Sequence, residues 1–302
     1  MYDIGIIGGG TAGLTAAIYG QRAGKNTIVF EGKIYGGQIA SSPRVENYPG
    51  IAMISGSEYS MNLLNQAKAL GAETKQGRVS QITGTEGAWV LHTSEGEVEC
   101  KAVILATGVV PRKLGLESEA RLEGMGVSYC ATCDGAFFRN MDVAVIGGGS
   151  TALEDAEFLS NTSRKVYLVH RRDEFRGEDA LVQVLRKKDN VEFVLSATPK
   201  EILGTEYVEG LVVNELKTGT ERSLEVAAVF IAVGHIPMNQ TFAELIDLDE
   251  TGFIQAREDC HTSARGIFTA GDCRTKEVRQ LTTAAADGAI AALAACKYLA
   301  ML

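Results

Sequence analysis

The sequence predicts an α/β protein made of two similar parallel-sheet units, the second inserted into the first. Three observations carry that expectation. Glycine is abundant and proline scarce, 34 against 5 in 302 residues, a balance that suits many tight strand-to-helix turns and argues against disordered or collagen-like chains. Near the start of the chain a buried-strand pattern runs straight into a glycine loop and then a helix. The same arrangement returns 139 residues later, counted from Asp3 to Asp142.

The first element, Asp3–Ile7, is a short apolar run of the kind that forms a parallel strand buried on both faces. It leads into Gly8-Gly9-Gly10-Thr11-Ala12-Gly13, and a helical pattern continues from Leu14 through Ala17 and Ile18 to Arg22. Thr27–Glu31 follows as a second strand ending in an acid. In G-x-G-x-x-G each glycine has its own task. Gly8 makes the tight turn, Gly10 lets backbone approach a pyrophosphate, and Gly13 lets helix and strand pack closely, while the helix N-terminus offers amides to the phosphates. Glu31, 18 residues past Gly13, is placed to accept hydrogen bonds from a ribose diol. A bare glycine motif is weak, but strand, loop, helix, strand and acid together describe a dinucleotide site.

The second copy runs from the strand Asp142–Ile146 through Gly147-Gly148-Gly149-Ser150-Thr151-Ala152 to a helical pattern on Ala152, Ala156 and Leu159, then the strand Lys165–Val169. The position answering to Glu31 is His170, followed by Arg171 and Arg172, with Arg176 four residues beyond. A carboxylate would repel a 2′-phosphate, whereas arginine binds it by charge-assisted, often bidentate hydrogen bonds. The first copy therefore suits a diol and the second a 2′-phosphate; the plainer reading of the arginines is a solvated face. Two further strands echo one another, one ending in Ala106-Thr107-Gly108 and the other in Ala232-Val233-Gly234. The strand-like Gly266–Ala270, then Gly271-Asp272 and an Ala-rich helix, completes the first unit after the second. The expected boundaries are 1–112 and 242–302 for the first unit and 113–241 for the second.

A formal net charge of −9 argues against nucleic acid or an anionic membrane as the main partner. Apolar runs such as Ala227–Val233 fall far short of the ~20 residues a membrane helix needs, and the chain enters its first strand with no targeting pattern, so the expected location is cytoplasmic. Six cysteines are too few for a disulfide scaffold. One pair stands out, in Cys130-Ala131-Thr132-Cys133-Asp134-Gly135. A C-x-x-C holds two thiols close enough to form and break a disulfide and commonly lowers a thiol pKa, and Asp134 could give or take a proton. Zinc needs four ligands, and the nearest further cluster is Cys260-His261, more than 120 residues away. A purely structural disulfide suits a reducing compartment poorly. Beside two dinucleotide loops the pair reads as redox-active, with no metal. Cys100, Cys273 and Cys296 read as small core residues, and Cys260 has no assigned role.

Together these motifs resemble the low-molecular-weight, bacterial-type thioredoxin reductases over essentially the whole length. The matching stretches are Gly8–Gly13, Gly36-Gly37-Gln38, Glu46–Gly50, Ala106–Gly108, Cys130–Gly135, Gly147–Ala152, His170–Arg176, Gly234–Pro237, Gly271-Asp272 and Arg279-Gln280. The resemblance implies two Rossmann-like domains. The first would bind FAD through Gly8, Gly10, Thr11, Ala12 and Gly13, with Glu31 on the adenosine ribose and Gly37, Gln38 and Asn47 on the flavin side. Ala106, Thr107 and Gly108 would join them, Gly271 and Asp272 would reach the ribityl chain or pyrophosphate, and Arg279 and Gln280 would lie near the isoalloxazine. The second would bind NADPH, with Gly147, Gly149, Ser150 and Thr151 near the pyrophosphate and His170, Arg171, Arg172 and Arg176 on the 2′-phosphate.

The resemblance also implies a homodimer and a rotation between the domains about Gly108–Gly115 and Gly234–Gln240. Larger disulfide reductases carry their cysteines in the FAD unit, where Tyr35–Arg44 has none here. Electrons would pass from NADPH through FAD to a Cys130–Cys133 disulfide and on to thioredoxin, with Cys133 facing the flavin, Cys130 attacking the partner and Asp134 managing the proton. Gly177, where alanine is frequent, and Met238-Asn239-Gln240 depart from the pattern without touching the chemistry. Rival readings keep the fold: a reductase of a glutaredoxin-like or peroxidase-linked dithiol protein, a ferredoxin-linked variant, or a non-catalytic flavin sensor. The start at the first strand speaks against the peroxidase-linked form, the intact second glycine loop against ferredoxin, and Cys130-x-x-Cys133-Asp134 against the sensor.

Overall fold

The computed structural model describes residues 1–302. The chain opens with β1 (Tyr2–Ile7), α1 (Thr11–Arg22) and β2 (Thr27–Glu31), and β2 has the limits its pattern predicts. Then come α2 (Gly56–Ala69), β3 (Glu73–Gln76), β4 (Val79–Thr85), β5 (Ala88–Thr93), β6 (Gly96–Leu105) and β7 (Val109–Pro111). The second stretch holds α3 (Glu117–Arg121), β8 (Val127–Ser128), α4 (Ala131–Asp134), β9 (Asp142–Ile146), α5 (Ser150–Ser160) and β10 (Lys165–His170). It continues with α6 (Asp179–Leu185), β11 (Val191–Leu195), β12 (Ala197–Leu203), β13 (Gly210–Glu215), β14 (Glu221–Leu224) and β15 (Ala228–Ile231). The chain closes with β16 (His235–Pro237), β17 (Ile267–Thr269) and α7 (Leu281–Leu299).

These elements form two units, Met1–Val110 with Ile236–Leu302 (unit 1) and Pro111–His235 (unit 2). The linking strands β7 and β16 pair with one another. In unit 1 the sheet runs β3-β2-β1-β6-β5-β4, with β17 also on β6. The ten-residue β6 serves two purposes: Gly96–Cys100 pairs antiparallel with β5, while its later residues run parallel to β1 and, at Val103–Leu105, to β17. In unit 2 the order is β11-β10-β9-β15-β8, parallel throughout, and β12, β13 and β14 form a separate antiparallel sheet.

Among the parallel strands alone, both units place the strand before the glycine loop in the middle and two strands on either side of it. The outermost strand on one side is β17 in unit 1 and β8 in unit 2. The two are topological equivalents, although β17 comes last in its unit and β8 first.

The core explains why these segments take these forms. Ile4, Ile6, Val143 and Val145 are fully buried, as are Leu14 on α1 and Leu153 on α5; each such side chain contributes ~1.5–3 kcal/mol on leaving water. Small residues let α7 lie against α1. Ala291, Ala292 and Ala295 are fully buried, and a Cβ on Gly288 would come 2.2 Å from the Ala12 carbonyl oxygen. One charged cluster sits inside unit 1. The Asp287 carboxylate accepts from the Gly271 amide, from Arg274 Nε and Nη2 and from Lys276 Nζ, each at 2.9 Å. A buried carboxylate is tolerated where its oxygens are paired in this way.

Candidate active site

In unit 1 the first loop is built against the end of β6. Gly8 has a φ of +108°, and a Cβ there would stand 2.1 Å from the Ala106 carbonyl oxygen, so only glycine makes this turn. A Cβ on Gly13 would lie 1.8 Å from the Gly8 carbonyl oxygen, which is the close helix–strand approach the motif calls for. Gly10, by contrast, faces nothing nearer than the Gly36 carbonyl oxygen at 3.7 Å, and α1 starts there with no side-chain cap and no acid in its first turn. Its leading amides are free to meet an anion. Thr11 and Ala12, both buried, form that first turn.

The other expected residues of unit 1 gather around this loop. Glu31 Oε2 accepts from the Gly9 amide at 2.8 Å and Oε1 from the Lys33 amide at 2.7 Å, which fixes the carboxylate beside the loop while leaving lone pairs to spare. The Gly36 amide donates to Gly9 O, bringing Gly37 and Gln38 alongside, and Gln38 Nε2 donates to Val109 O at 2.6 Å. Thr107 and Gly108 continue from Ala106, and Thr107 Oγ1 donates to Asn239 Oδ1 at 2.7 Å. Gly271 abuts Ala12: a Cβ on the former would be 2.8 Å from that of the latter. Arg279 Nε donates to the Asp272 carbonyl at 3.3 Å, and Asn47 Nδ2 donates to Gln280 Oε1 at 3.2 Å across 233 residues of sequence. These residues fit the dinucleotide that the resemblance implies. The clearest sign is Asp272, whose Oδ1 is buried with no hydrogen-bond partner in the protein. Burial raises its pKa, and Lys276 and Arg279 pull it back. A buried carboxylate oxygen of this kind calls for a donor.

In unit 2 the loop repeats the turn with one change. Gly147 has a φ of +159°, and a Cβ there would be 2.3 Å from the Ala232 carbonyl oxygen, the echo of Gly8 and Ala106. Gly149 faces open space, and α5 starts beside it at Ser150 and Thr151 with no side-chain cap and no first-turn acid. At the Gly13 position stands Ala152, fully buried. His170 lies inside: its ring is so close beneath Gly148 that a Cβ there would be 2.0 Å away, and it stacks on Phe175 at 5.3 Å. Burial first, then Arg171, Arg176 and Arg172, lowers the pKa of His170, although Glu174 O opposes this from 3.2 Å. Arg171, Arg172 and Arg176 are exposed, while the neighbouring Asp173 pairs with Lys217 at 2.8 Å. The Arg176 amide donates to Gly148 O at 2.8 Å, tying the arginine segment to the glycine loop. An open loop, an uncapped helix and uncommitted guanidiniums fit a phosphorylated dinucleotide.

Cys130 and Cys133 form a disulfide. β8 delivers Cys130 to the N-cap of the single-turn helix α4, and the turn brings Cys133 and Asp134 back over it. Asp134 is pushed upward in pKa by burial, and a hydrogen bond from Ser128 Oγ to Oδ2 at 2.6 Å partly offsets this. Cys130 Sγ lies 3.4 Å from Thr132 Oγ1. Of the remaining cysteines, Cys100, Cys260 and Cys273 are buried and Cys296 is half-buried.

Three features of these sites carry no motif. Ser128 is an ordinary residue at a strand end. Asn239, fully buried, holds Thr107, Gly252 O and Cys273 O together, and its one outward sign was an unusual stretch after Pro237. Asp287 anchors Gly271, and its signal was available: it is the one acid in a long Ala-rich helix.

Residues 2–288 match the pyridine nucleotide-disulphide oxidoreductase family. The chain is 40% identical over 300 residues to a protein named thioredoxin reductase from Listeria monocytogenes, covering 99% of this chain and 94% of that one. It is 41% identical over 299 residues to a thioredoxin reductase from Treponema pallidum, covering 99% and 97%. The crystal structure of thioredoxin reductase from Streptococcus pyogenes superposes with a TM-score of 0.95 at 39% identity, covering 100% of this chain and 99% of that one.

Proposed function

The chain belongs to the pyridine nucleotide-disulphide oxidoreductase family as a flavoprotein disulfide reductase, and from that premise we propose that it reduces the disulfide of thioredoxin or a similar small dithiol protein. One observation supports this reading above the others: a closed Cys130–Cys133 disulfide with a half-buried carboxyl, Asp134, folded back beside it. The names of the relatives at 40% and 41% identity point the same way.

In this proposal unit 1 holds FAD. Its pyrophosphate rests on Gly8–Gly13, its ribose on Glu31, and Gln38, Asn47, Arg279 and Gln280 lie on the flavin side. Asp272 supplies the unpaired oxygen as acceptor. Unit 2 holds NADPH at Gly147, Gly149, Ser150 and Thr151, with Arg171, Arg172 and Arg176 on the 2′-phosphate and His170 supporting them from beneath. When bound, the two cofactors supply the electron pair, given up by NADPH as a hydride, that opens the disulfide.

The protein's own residues carry the remaining steps. Cys130, as thiolate, attacks one sulfur of the partner's disulfide. A bond from Cys130 to that sulfur forms, the partner's S–S bond breaks, and the departing sulfur takes the proton that Asp134 holds at its carboxyl. Cys133 then passes its proton to Asp134 and attacks Cys130. The Cys130–Cys133 bond is remade and the partner leaves with one thiol and one thiolate, so the charge first on Cys130 departs with it. Burial raises the pKa of the Asp134 carboxyl, the direction that suits a group exchanging a proton with sulfur. The same proposal includes a homodimer, which rests on the resemblance alone and is tested by light scattering on the purified protein.

The test is NADPH oxidation by the purified yellow protein with oxidised thioredoxin as acceptor. One thioredoxin dithiol should appear per NADPH consumed. Normal NADPH oxidation with an artificial flavin acceptor, but none with thioredoxin or a glutaredoxin-like protein, would overturn the substrate reading.

A further inference from the structure

We propose that Ser128 is a positioning residue for disulfide exchange, holding the Asp134 carboxyl and the Cys130 backbone in register through one hydroxyl. The proposal rests on the roles given above to Cys130, Cys133 and Asp134. Ser128 ends β8 and is 5% exposed. Its Oγ accepts from the Cys130 amide at 3.1 Å and donates to Asp134 Oδ2 at 2.6 Å. A hydroxyl has a single proton; Cys130 O, at 3.4 Å, is the longer of its two acceptors, and turning to it would release the carboxyl. The Cys130 amide precedes the first turn of α4, where Ser128 is its acceptor. The hydroxyl is thus shared by the two groups whose separation matters in the exchange, the sulfur-bearing residue and the acid.

The arrangement also selects an oxygen. With Oδ2 held by Ser128, Oδ1 is left to carry the mobile proton. The flanking residue is pinned as well: Tyr129 OH donates to Glu119 Oε1 at 2.8 Å, and Glu119 also accepts from the amides of Leu114 and Gly115. The β8–α4 junction is therefore tied on both sides. The shift of Asp134 has burial and the Ser128 hydroxyl as its causes, with no charged neighbour among them. On α5, Glu157 is paired with Lys188, and Asp155, beside Glu154, is raised by its own burial. On β9, Asp142 is paired with Arg164.

The test is a double-mutant cycle on the holoenzyme with thioredoxin as substrate. Ser128→Ala should lower kcat about tenfold, what one hydrogen bond to a charged group is worth, with KM for thioredoxin unchanged. Ser128→Thr, which keeps the hydroxyl, should recover the rate to within about twofold of the parent. Asp134→Asn alone should be slow, and adding Ser128→Ala to it should cost far less than in the parent, because only the contact with the Cys130 amide is then left to lose. Flavin absorbance and thermal midpoint establish that each variant is folded. Asp134→Asn at the parental rate would overturn the role of Asp134 and this proposal with it. Asp134→Asn slow and Ser128→Ala at the parental rate would overturn the role of Ser128 alone. The same follows if Ser128→Thr is as slow as Ser128→Ala, or if Ser128→Ala costs as much in the Asp134→Asn background as in the parent.

Discussion

In unit 1 the carboxylate of Glu31 takes the Gly9 amide; in unit 2 the imidazole of His170 lies under Gly148, the counterpart of Gly9. The two residues end equivalent strands and meet equivalent glycines, yet they do opposite work. Glu31 presents acceptor oxygens at the loop. His170 is turned inward, its pKa is lowered, and the charge is left to three exposed arginines that follow it. A second contrast lies at the ends of the outermost equivalent strands, β17 and β8. The first runs on to Asp272 with its unpaired buried oxygen, the second to Cys130 and its disulfide. The common scaffold thus offers the same few places, at the C-terminal ends of parallel strands, and the side chains placed there decide whether a unit grips a cofactor or performs exchange.

The sharpest way to break this comparison is to alter both ends of those strands. Cys130→Ser should abolish thioredoxin reduction while the protein stays yellow and still passes electrons from NADPH to an artificial flavin acceptor. Asp272→Ala should do the reverse and yield protein with most of its flavin lost, read by absorbance near 450 nm. A colourless Cys130→Ser or a fully loaded Asp272→Ala would mean that the two places are not used differently.

Next in size is the third glycine. Gly13→Ala puts a Cβ into the Gly8 carbonyl and should cost ~3 kcal/mol or more, with loss of flavin. Ala152→Gly, its mirror image in unit 2, should cost only ~0.5–1 kcal/mol, the helical penalty of glycine. Urea titration of both variants measures the gap. Replacing Arg171 and Arg172 with Gln should raise KM for NADPH by about ten- to a hundredfold, as expected for lost hydrogen bonds to a charged phosphate, and leave KM for NADH unchanged. An equal rise for both nucleotides would remove the distinction between the loops.

The smallest effect concerns His170 itself. Above about 6.5 its ring is neutral in both folded and unfolded chains and adds nothing to stability. As pH falls below that value the unfolded chain takes the proton first, so the folded state loses stability until its own lowered pKa is passed. The thermal midpoint of the parent should therefore fall from pH 7 to pH 5.5 more than that of His170→Gln. Parallel curves would show that the ring carries no such penalty.

Much of this was legible beforehand, for a local reason. The glycine loops, their flanking strands and helices and the offset between the copies depend on short stretches of chain, and β2 and the start of β10 fall where their patterns place them. Counting from Glu31 found His170 but could not say that its ring would go inside, because that depends on Gly148, 22 residues earlier in the chain, and on Phe175. Ser128 and Asn239 were illegible as functional residues, since each acts through partners that only the fold brings near; Asp287 stood out as the lone acid of its helix, but not the partners it holds. The equivalence of β8 and β17 was hidden by the order of the chain.

That last feature has a consequence for synthesis. Every strand of unit 2 has been made once residue 231 has emerged from the ribosome, whereas unit 1 begins first and waits for β17 and α7, which end at Thr269 and Leu299. At ~5–20 residues per second the wait lasts several seconds. During it the edge of β6 that β17 will cover and the face of α1 that α7 will cover stand open to solvent. The inserted unit should therefore be the first to resist protease on stalled ribosomes, and the unit that starts the chain should be the one that needs a chaperone.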